Sequence, residues 1–270
     1  MSLCLLCALL SLAAGGWFGV DWTLFREPQT GFTVLGSVWW RYAGLALLIA
    51  VLALLSLAAG RAARGQQTRP GGSRFLRLGF GLQAAGFFAG GVLQAAGALG
   101  VLVGRGKTGA ETLWSLVLSV FFLIGGVWAL NCAAGSGRGV PASTLPLGAF
   151  ADIGLFLLCL KRFITAPTSI ARVMPTLDIF EAMAAMLLVC ALLRALYLPA
   201  EKSAAQRLFF FGSAGFLFCF CLPAAKLVSR LLTAQHSSFA ADLPVLGAGL
   251  LGLTVAVCAQ RDPRAASPEQ

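Results

Sequence analysis

The chain has 270 residues, of which 59% are hydrophobic and only 11% are charged, and its formal net charge is +10. In an ordinary soluble domain about a quarter of the residues are charged, so this composition excludes a water-soluble globular domain. The apolar residues form eight blocks, each close to the ~20 residues that a helix needs to cross a bilayer. The blocks are residues 3–20, 43–60, 75–104, 112–133, 146–163, 177–198, 206–230 and 240–259.

These blocks predict an all-α, polytopic membrane bundle of eight transmembrane helices, because backbone polar groups in hydrocarbon must be satisfied within the chain. We expect one membrane-embedded domain over residues 1–262 and a short polar tail over residues 263–270. The first block has no basic segment before it, so we expect a retained span rather than a cleaved signal peptide.

A parallel duplication of four plus four helices is a further hypothesis. An offset of 130 residues aligns Arg77 with Arg207 and Phe80 with Phe210, and parallel repeats occur in transporters. The alternative is that helices rich in Leu, Phe and Ala match by chance.

The linker of residues 61–74 holds the densest basic cluster of the chain, with Arg61, Arg64, Arg69 and Arg74. Basic linkers face the cytoplasm, so both termini are predicted to be cytoplasmic in a bacterial-type cell membrane. The two sides would carry ten and nine Lys or Arg residues, so this orientation depends on that one cluster. We expect the basic residues to contact anionic lipid headgroups and not nucleic acid, since the interleaved aromatic residues of a single-strand binder are missing.

A stripe of small and amide residues runs along the third block at spacings of 4, 3, 4, 4 and 3 residues. These spacings place the stripe on one helix face. Two interpretations remain open: a close helix–helix contact, or the polar wall of a substrate path. In both cases we expect span 3 to be central in the bundle. The stripe consists of Gly79, Gln83, Gly86, Gly90, Gln94 and Gly97.

Asp152 is the acid that lies furthest inside a predicted span. Pro146 marks the start of that span, so Asp152 lies about 9 Å inside it. A carboxylate within the membrane indicates a functional site. Arg194, near the end of span 6, would lie at comparable depth, so we predict an intramembrane Asp152–Arg194 charge pair. The pair would be a structural clamp or part of a transport site; alternatively, Arg194 extends to the headgroups and the two do not pair.

The other acids lie near span ends. Asp178 and Glu181 are predicted to cap the start of span 6, and Asp242 to cap the start of span 8. If spans 5 and 6 are antiparallel neighbours, Lys161 or Arg162 would lie near Glu181.

Basic residues follow Pro223 near the end of span 7. Residues 224–235, with Lys226 and Arg230, are typical of an amphipathic helix at the membrane interface. We therefore expect these two side chains to face water or lipid headgroups.

No pattern of the sequence indicates catalysis, a metal or a cofactor. All eight cysteines lie within apolar blocks, and the single histidine, His236, lies in a linker, so no set of metal ligands is visible. A nucleophile–histidine pairing and a phosphate-binding loop are also missing, so we do not expect an enzyme.

Two classes of function remain. The first is a transporter or permease for a small solute or ion, with a path near spans 3, 5 and 6. Asp152 would be the carboxylate that binds the solute or a coupling ion, and Arg194 would be its counter-charge. Gln83 and Gln94 would form the polar wall of the path. The second is a non-catalytic membrane scaffold, assembly factor or accessory or sensor subunit that acts through other membrane proteins.

Overall fold

The computed structural model shows a bundle of α-helices, and the residues that it describes contain no strand. Those residues are 2–25, 36–62, 73–104, 109–135, 140–165, 172–198, 203–232 and 239–260. The α-helices are α1 (Leu3–Leu24), α2 (Val38–Ala62), α3 (Arg74–Val103), α4 (Ala110–Gly135), α5 (Leu145–Thr165), α6 (Val173–Tyr197), α7 (Ala204–Gly215), α8 (Leu222–Leu232) and α9 (Leu243–Gln260).

Eight helical segments of the described chain are long and apolar enough to cross a membrane, which confirms the predicted fold class. The chain is therefore a multi-pass membrane protein. A 3₁₀ turn, Ala142–Thr144, leads directly into α5, so Pro146 marks the start of this helix as predicted. Helix α6 begins four residues earlier than predicted, at Val173. Pro175 does not prevent this, because a proline in the first helical turn removes no hydrogen bond.

The seventh span, Ala204–Leu232, is a composite of α7, a π-helical segment and α8. The π segment, Phe216–Cys221, follows α7 without a break, and Phe216 and Phe220 stack with ring centroids 5.5 Å apart. Glycines of the neighbouring helices approach it closely: a Cβ atom at Gly249 would lie 2.5 Å from the backbone nitrogen of Phe220. The π segment is wider than an α-helix, and it fits against α9 because Gly249 has no side chain.

Six spans form a closed ring, in the order α3, α4, α5, α6, span 7 and α9, with α9 returning to α3. Helix α1 packs against the π segment and α8 from outside the ring, and α2 packs against α7. The apolar stretch that defines span 7 is 67% buried, against 56% in α9 and 28% in α3. The expectation that span 3 is central is therefore wrong: span 7 contacts helices on several sides, whereas α3 packs mainly on α4 and α9.

The helix contacts do not confirm the four-plus-four duplication. A parallel repeat would relate α3 to span 7 and α4 to α9. Helix α3 packs extensively on α9, but the equivalent pair, span 7 with α4, has no extensive contact among the described residues.

Candidate functional site: a buried charge network

Four segments bring charged side chains together at one end of the bundle. Helix α5 ends on the side of the membrane where α6 begins, and α8 ends on the side where α9 begins. The charges near these helix ends form one cluster, which we call the charge network. It consists of Arg162, Asp178, Glu181, Lys226, Arg230 and Asp242.

Lys226 lies at the centre of the network, and its side chain is only 2% exposed. Its Nζ donates to Asp178 Oδ1 at 2.6 Å and to Glu181 Oε2 at 3.0 Å. Asp242 Oδ1 lies 3.8 Å from the same nitrogen. One ammonium group therefore connects α8 with α6 and with the turn before α9.

Arg162, from the end of α5, completes the network. Its Nη2 donates to Asp242 Oδ1 at 2.6 Å, and its Nη1 lies 3.5 Å from Glu181 Oε2. The same Nη1 also donates to the backbone carbonyl of Asp178. Arg230 Nη1 reaches the second carboxylate oxygen of Asp242 at 3.4 Å. Asp242 thus joins the end of α5 to the end of α8.

The network holds three cations and three anions, so its formal charges cancel. This balance is needed because desolvation of a buried ion costs several kcal/mol unless a partner offsets it. Glu181 is fully buried, and its Oε2 faces both Lys226 and Arg162. Its other oxygen, Oε1, is buried without a hydrogen-bond partner among the residues described.

The structure changes two predictions for these residues and confirms a third. The capping role of Asp178 and Glu181 is wrong, because α6 begins at Val173 and both acids lie inside the helix. The interfacial role of Lys226 is also wrong: α8 is amphipathic, but its basic face points into the bundle, where acids offset the charge. The predicted contact of Arg162 with Glu181 is confirmed.

The structure does not bring Asp152 and Arg194 together. Arg194 is exposed on α6, and the ion pairs between described residues do not join it to Asp152. Asp152 is half-buried on α5, and its Oδ1 is buried without a hydrogen-bond partner in the part of the chain that the structure describes. The role of Asp152 stays a prediction.

The stripe on α3 lies against α9 over most of its length. Gln83 is fully buried, and its Nε2 donates to the backbone carbonyl of Pro244 at 3.3 Å. A Cβ atom at Gly86 would lie 2.6 Å from the carbonyl oxygen of Leu243. Gly97, in contrast, is exposed and has no neighbouring atom within 4 Å of such a Cβ. Gly79 and Gly90 also contact α9 or the turn before it, and Gln94 is buried.

A second ion pair lies at the same end of the bundle as the charge network. Arg41, in the first turn of α2, donates to both carboxylate oxygens of Asp21, near the end of α1. Both side chains are less than 10% exposed. Trp17 and Trp40 help to line a small groove of about 270 Å³ beside this pair.

A larger groove of about 530 Å³ runs between α1 and span 7. It is lined by glycines of α1, among them Gly15 and Gly16, and by apolar residues of α8 such as Ala224 and Val228. Neither groove is lined by Asp152 or by a member of the charge network.

Metal ligands do not converge in the described part of the chain, where no group of three His, Cys, Asp or Glu side chains could hold an ion. No family model, no curated protein and no solved structure matches the chain. A functional interpretation therefore depends on the geometry described above.

Proposed function

We propose that this membrane protein transports a small solute or ion, and that the charge network is an ion-paired gate at one end of the bundle. The observation that carries the proposal is the fully buried Glu181, whose carboxylate is shared by Lys226 and Arg162. Ionisable groups within membrane spans commonly mark solute pathways, because their burial is expensive without a function.

The proposed gate has two arrangements, which differ in the ion pairs that Lys226 and Asp242 form. Lys226 has three carboxylates within 4 Å, and Asp242 faces three cations at distances between 2.6 and 3.8 Å. A small movement of α8 against α6 can break one ion pair while another forms. Such an element with alternative pairings is what a gate between two states requires.

Asp152 is the proposed solute-binding carboxylate at a different depth of the bundle. It precedes Arg162 by ten residues on the same helix, which corresponds to about 15 Å along the axis. The Oδ1 of Asp152, which is buried without a hydrogen-bond partner among the described residues, supports this role. Arg194 is not part of this site.

The test is solute-driven current from the purified protein in proteoliposomes on a solid-supported membrane. The panel covers inorganic cations and anions, amino acids, organic acids and sugars. We expect a signal with one class, and its loss in Lys226→Met and in Asp152→Asn. Lys161→Met is the matched control, because Lys161 lies next to Arg162 but is paired with the Ser115 hydroxyl. A folded protein that gives no current with any class and takes up no labelled solute of the panel contradicts the proposal.

A non-catalytic scaffold or accessory subunit is the second candidate. It is favoured by the pairing of every cation of the charge network with an acid and by the packing of Gln83 and Gly86 against α9, which are the contacts of a static bundle. In that case the double variant Glu181→Leu with Lys226→Met would fold and keep its cellular role. A gate would lose its flux in the same variant.

A further inference from the structure

We propose that Glu181 is a proton-binding site within the membrane domain and that it takes up a proton on Oε1. The extension to transport, in which this proton is the coupling ion, rests on the function proposed above. The proton-binding site itself does not.

The two oxygens of Glu181 have different surroundings. Oε2 accepts from Lys226 at 3.0 Å and faces Arg162 at 3.5 Å. Oε1 is buried and has no donor within the described residues. A buried carboxylate oxygen without a donor carries a desolvation cost that no contact offsets. A proton on Oε1 removes the negative charge and leaves Oε2 in place as the acceptor for Lys226.

The groups that face Glu181 come from four segments. Arg162 approaches from α5, Asp178 lies about one turn earlier on α6, and Lys226 approaches from α8. The thiol of Cys219, in the π segment, donates a hydrogen bond to the backbone carbonyl of Glu181 at 3.3 Å. Two further charges, Asp242 and Arg230, adjoin this group through Arg162 and Lys226.

Neutralisation of Glu181 leaves every cation of the network with an acid. Lys226 keeps Asp178 at 2.6 Å, and Arg162 keeps Asp242 at the same distance. Arg230 keeps the other oxygen of Asp242. Protonation of Asp242 would instead remove an anion that Arg162 and Arg230 share. Protonation of Asp178 would also leave every cation with an acid, but the Asp178 side chain is 26% exposed, so water offsets part of its charge. Glu181 is fully buried and has an oxygen without a donor among the described residues, so it is the acid of the network that gains most from a proton.

Proton uptake changes the balance of the network from neutral to one net positive charge. The attraction between α6 and α8 then weakens, because one of the two carboxylates that hold Lys226 on α6 is lost. The proton enters from water and returns to water, and no covalent bond other than O–H forms or breaks. Proton binding and opening of the gate are thereby linked.

The test is infrared difference spectroscopy of the purified protein as the pH is lowered. We expect the carbonyl-stretch band of a protonated carboxyl to grow on acidification and to be missing in Glu181→Gln. The band should persist in Asp152→Asn, which removes the second carboxyl that has a buried oxygen without a partner in the described part of the chain. Glu181→Asp keeps a carboxyl and should show the band at a changed frequency, which covers the case in which Glu181→Gln does not fold. An unchanged band in Glu181→Gln or Glu181→Asp overturns the proposal.

A second measurement separates this inference from the proposed function. Proteoliposomes that contain a pH-sensitive dye report whether a solute that gives current also moves protons. If the infrared band depends on Glu181 but no solute gives a current or is taken up, the proposal of transport is wrong and the proposal of a proton-binding site stands. Solute current that is equally proton-coupled in Glu181→Gln overturns the coupling role and keeps transport.

Discussion

At the scale of single residues, Lys226 shows how the bundle holds a cation at a site that water does not reach. Its side chain is 2% exposed, and its ammonium group lies within 4 Å of three carboxylates. These acids offset the desolvation of the cation, and the cation in turn separates acids that would repel one another. The four groups therefore stabilise one another.

Removal of this cation should be strongly destabilising. For Lys226→Met we expect a loss of about 3–5 kcal/mol, because the fully buried Glu181 and the partly buried Asp178 lose the cation that they share. Thermal unfolding of the detergent-purified protein measures the loss. Glu181→Gln added to Lys226→Met should restore part of it, and Lys161→Met should cost less than Lys226→Met alone. Equal losses in the two lysine variants would show that the network does not stabilise the fold.

The two tyrosines of the chain make a matched pair for a second test. Tyr197 accepts from Trp128 Nε1 at 3.3 Å and lies 2.6 Å from the hydroxyl of Thr144, so it joins α4, α6 and the 3₁₀ turn. The buried hydroxyl of Tyr42 has no such partner among the described residues. Tyr197→Phe should cost about 1–3 kcal/mol of stability, since the Trp128 N–H loses its acceptor and the Thr144 hydroxyl keeps only its bond to the Pro141 carbonyl. Tyr42→Phe should be neutral in the same thermal assay, and a larger effect there would contradict this account.

At the scale of helices, close packing depends on where glycine lies on α3. The α3–α9 contact brings backbone against backbone at Gly86, whereas Gly97 on the same stripe faces open space. Sequence spacing alone does not distinguish the two positions, because both lie on one helix face. The difference comes from the point at which α9 begins, at Leu243.

Alanine substitutions should separate these positions. Gly86→Ala places a Cβ atom 2.6 Å from the Leu243 carbonyl oxygen, and backbone cannot move aside as a side chain can. We expect a loss of about 1–3 kcal/mol from overpacking. Gly97→Ala should leave the unfolding temperature unchanged or slightly raised, since alanine is the better helix former. A destabilised Gly97→Ala protein would contradict the packing described for the stripe.

The spans were predictable and the charge network largely was not, for a physical reason. Bilayer thickness fixes the length of an apolar block, so hydropathy locates each helix without knowledge of its neighbours. The network joins residues as far apart as Arg162 and Asp242, and it depends on which helices are adjacent. The contact of Arg162 with Glu181 was predictable because a single connection separates α5 from α6.

A signal for the remainder was present in the sequence but was assigned to the membrane interface. Lys226 and Arg230 lie before one connection, and Asp242 lies after it, at the same membrane end as Arg162 and Glu181. The sequence therefore places these charges at one membrane end, but it does not show which of them contact one another. The choice of an outward rather than an inward basic face on α8 depends on tertiary packing.

At the scale of the whole molecule, the predicted orientation determines which side of the membrane the charge network faces. If the basic linker of residues 61–74 is cytoplasmic, both termini are too, and the charge network faces the opposite compartment. A C-terminal green fluorescent protein should then fluoresce, and a C-terminal alkaline phosphatase should be inactive. The reverse pattern would place the network on the cytoplasmic side. Neutral replacements of Arg61, Arg64, Arg69 and Arg74 should reduce the preference of the chain for this orientation.

The charge network also divides evenly between two helical hairpins. The hairpin of α5 and α6 contributes Arg162 with Asp178 and Glu181, and so carries one negative charge in excess. The hairpin of span 7 and α9 contributes Lys226 and Arg230 with Asp242, and so carries one positive charge in excess. Within the network, each hairpin therefore contributes a net charge that the other hairpin offsets. We therefore expect the later-synthesised hairpin to complete the ion pairs of the earlier one when the two associate in the membrane.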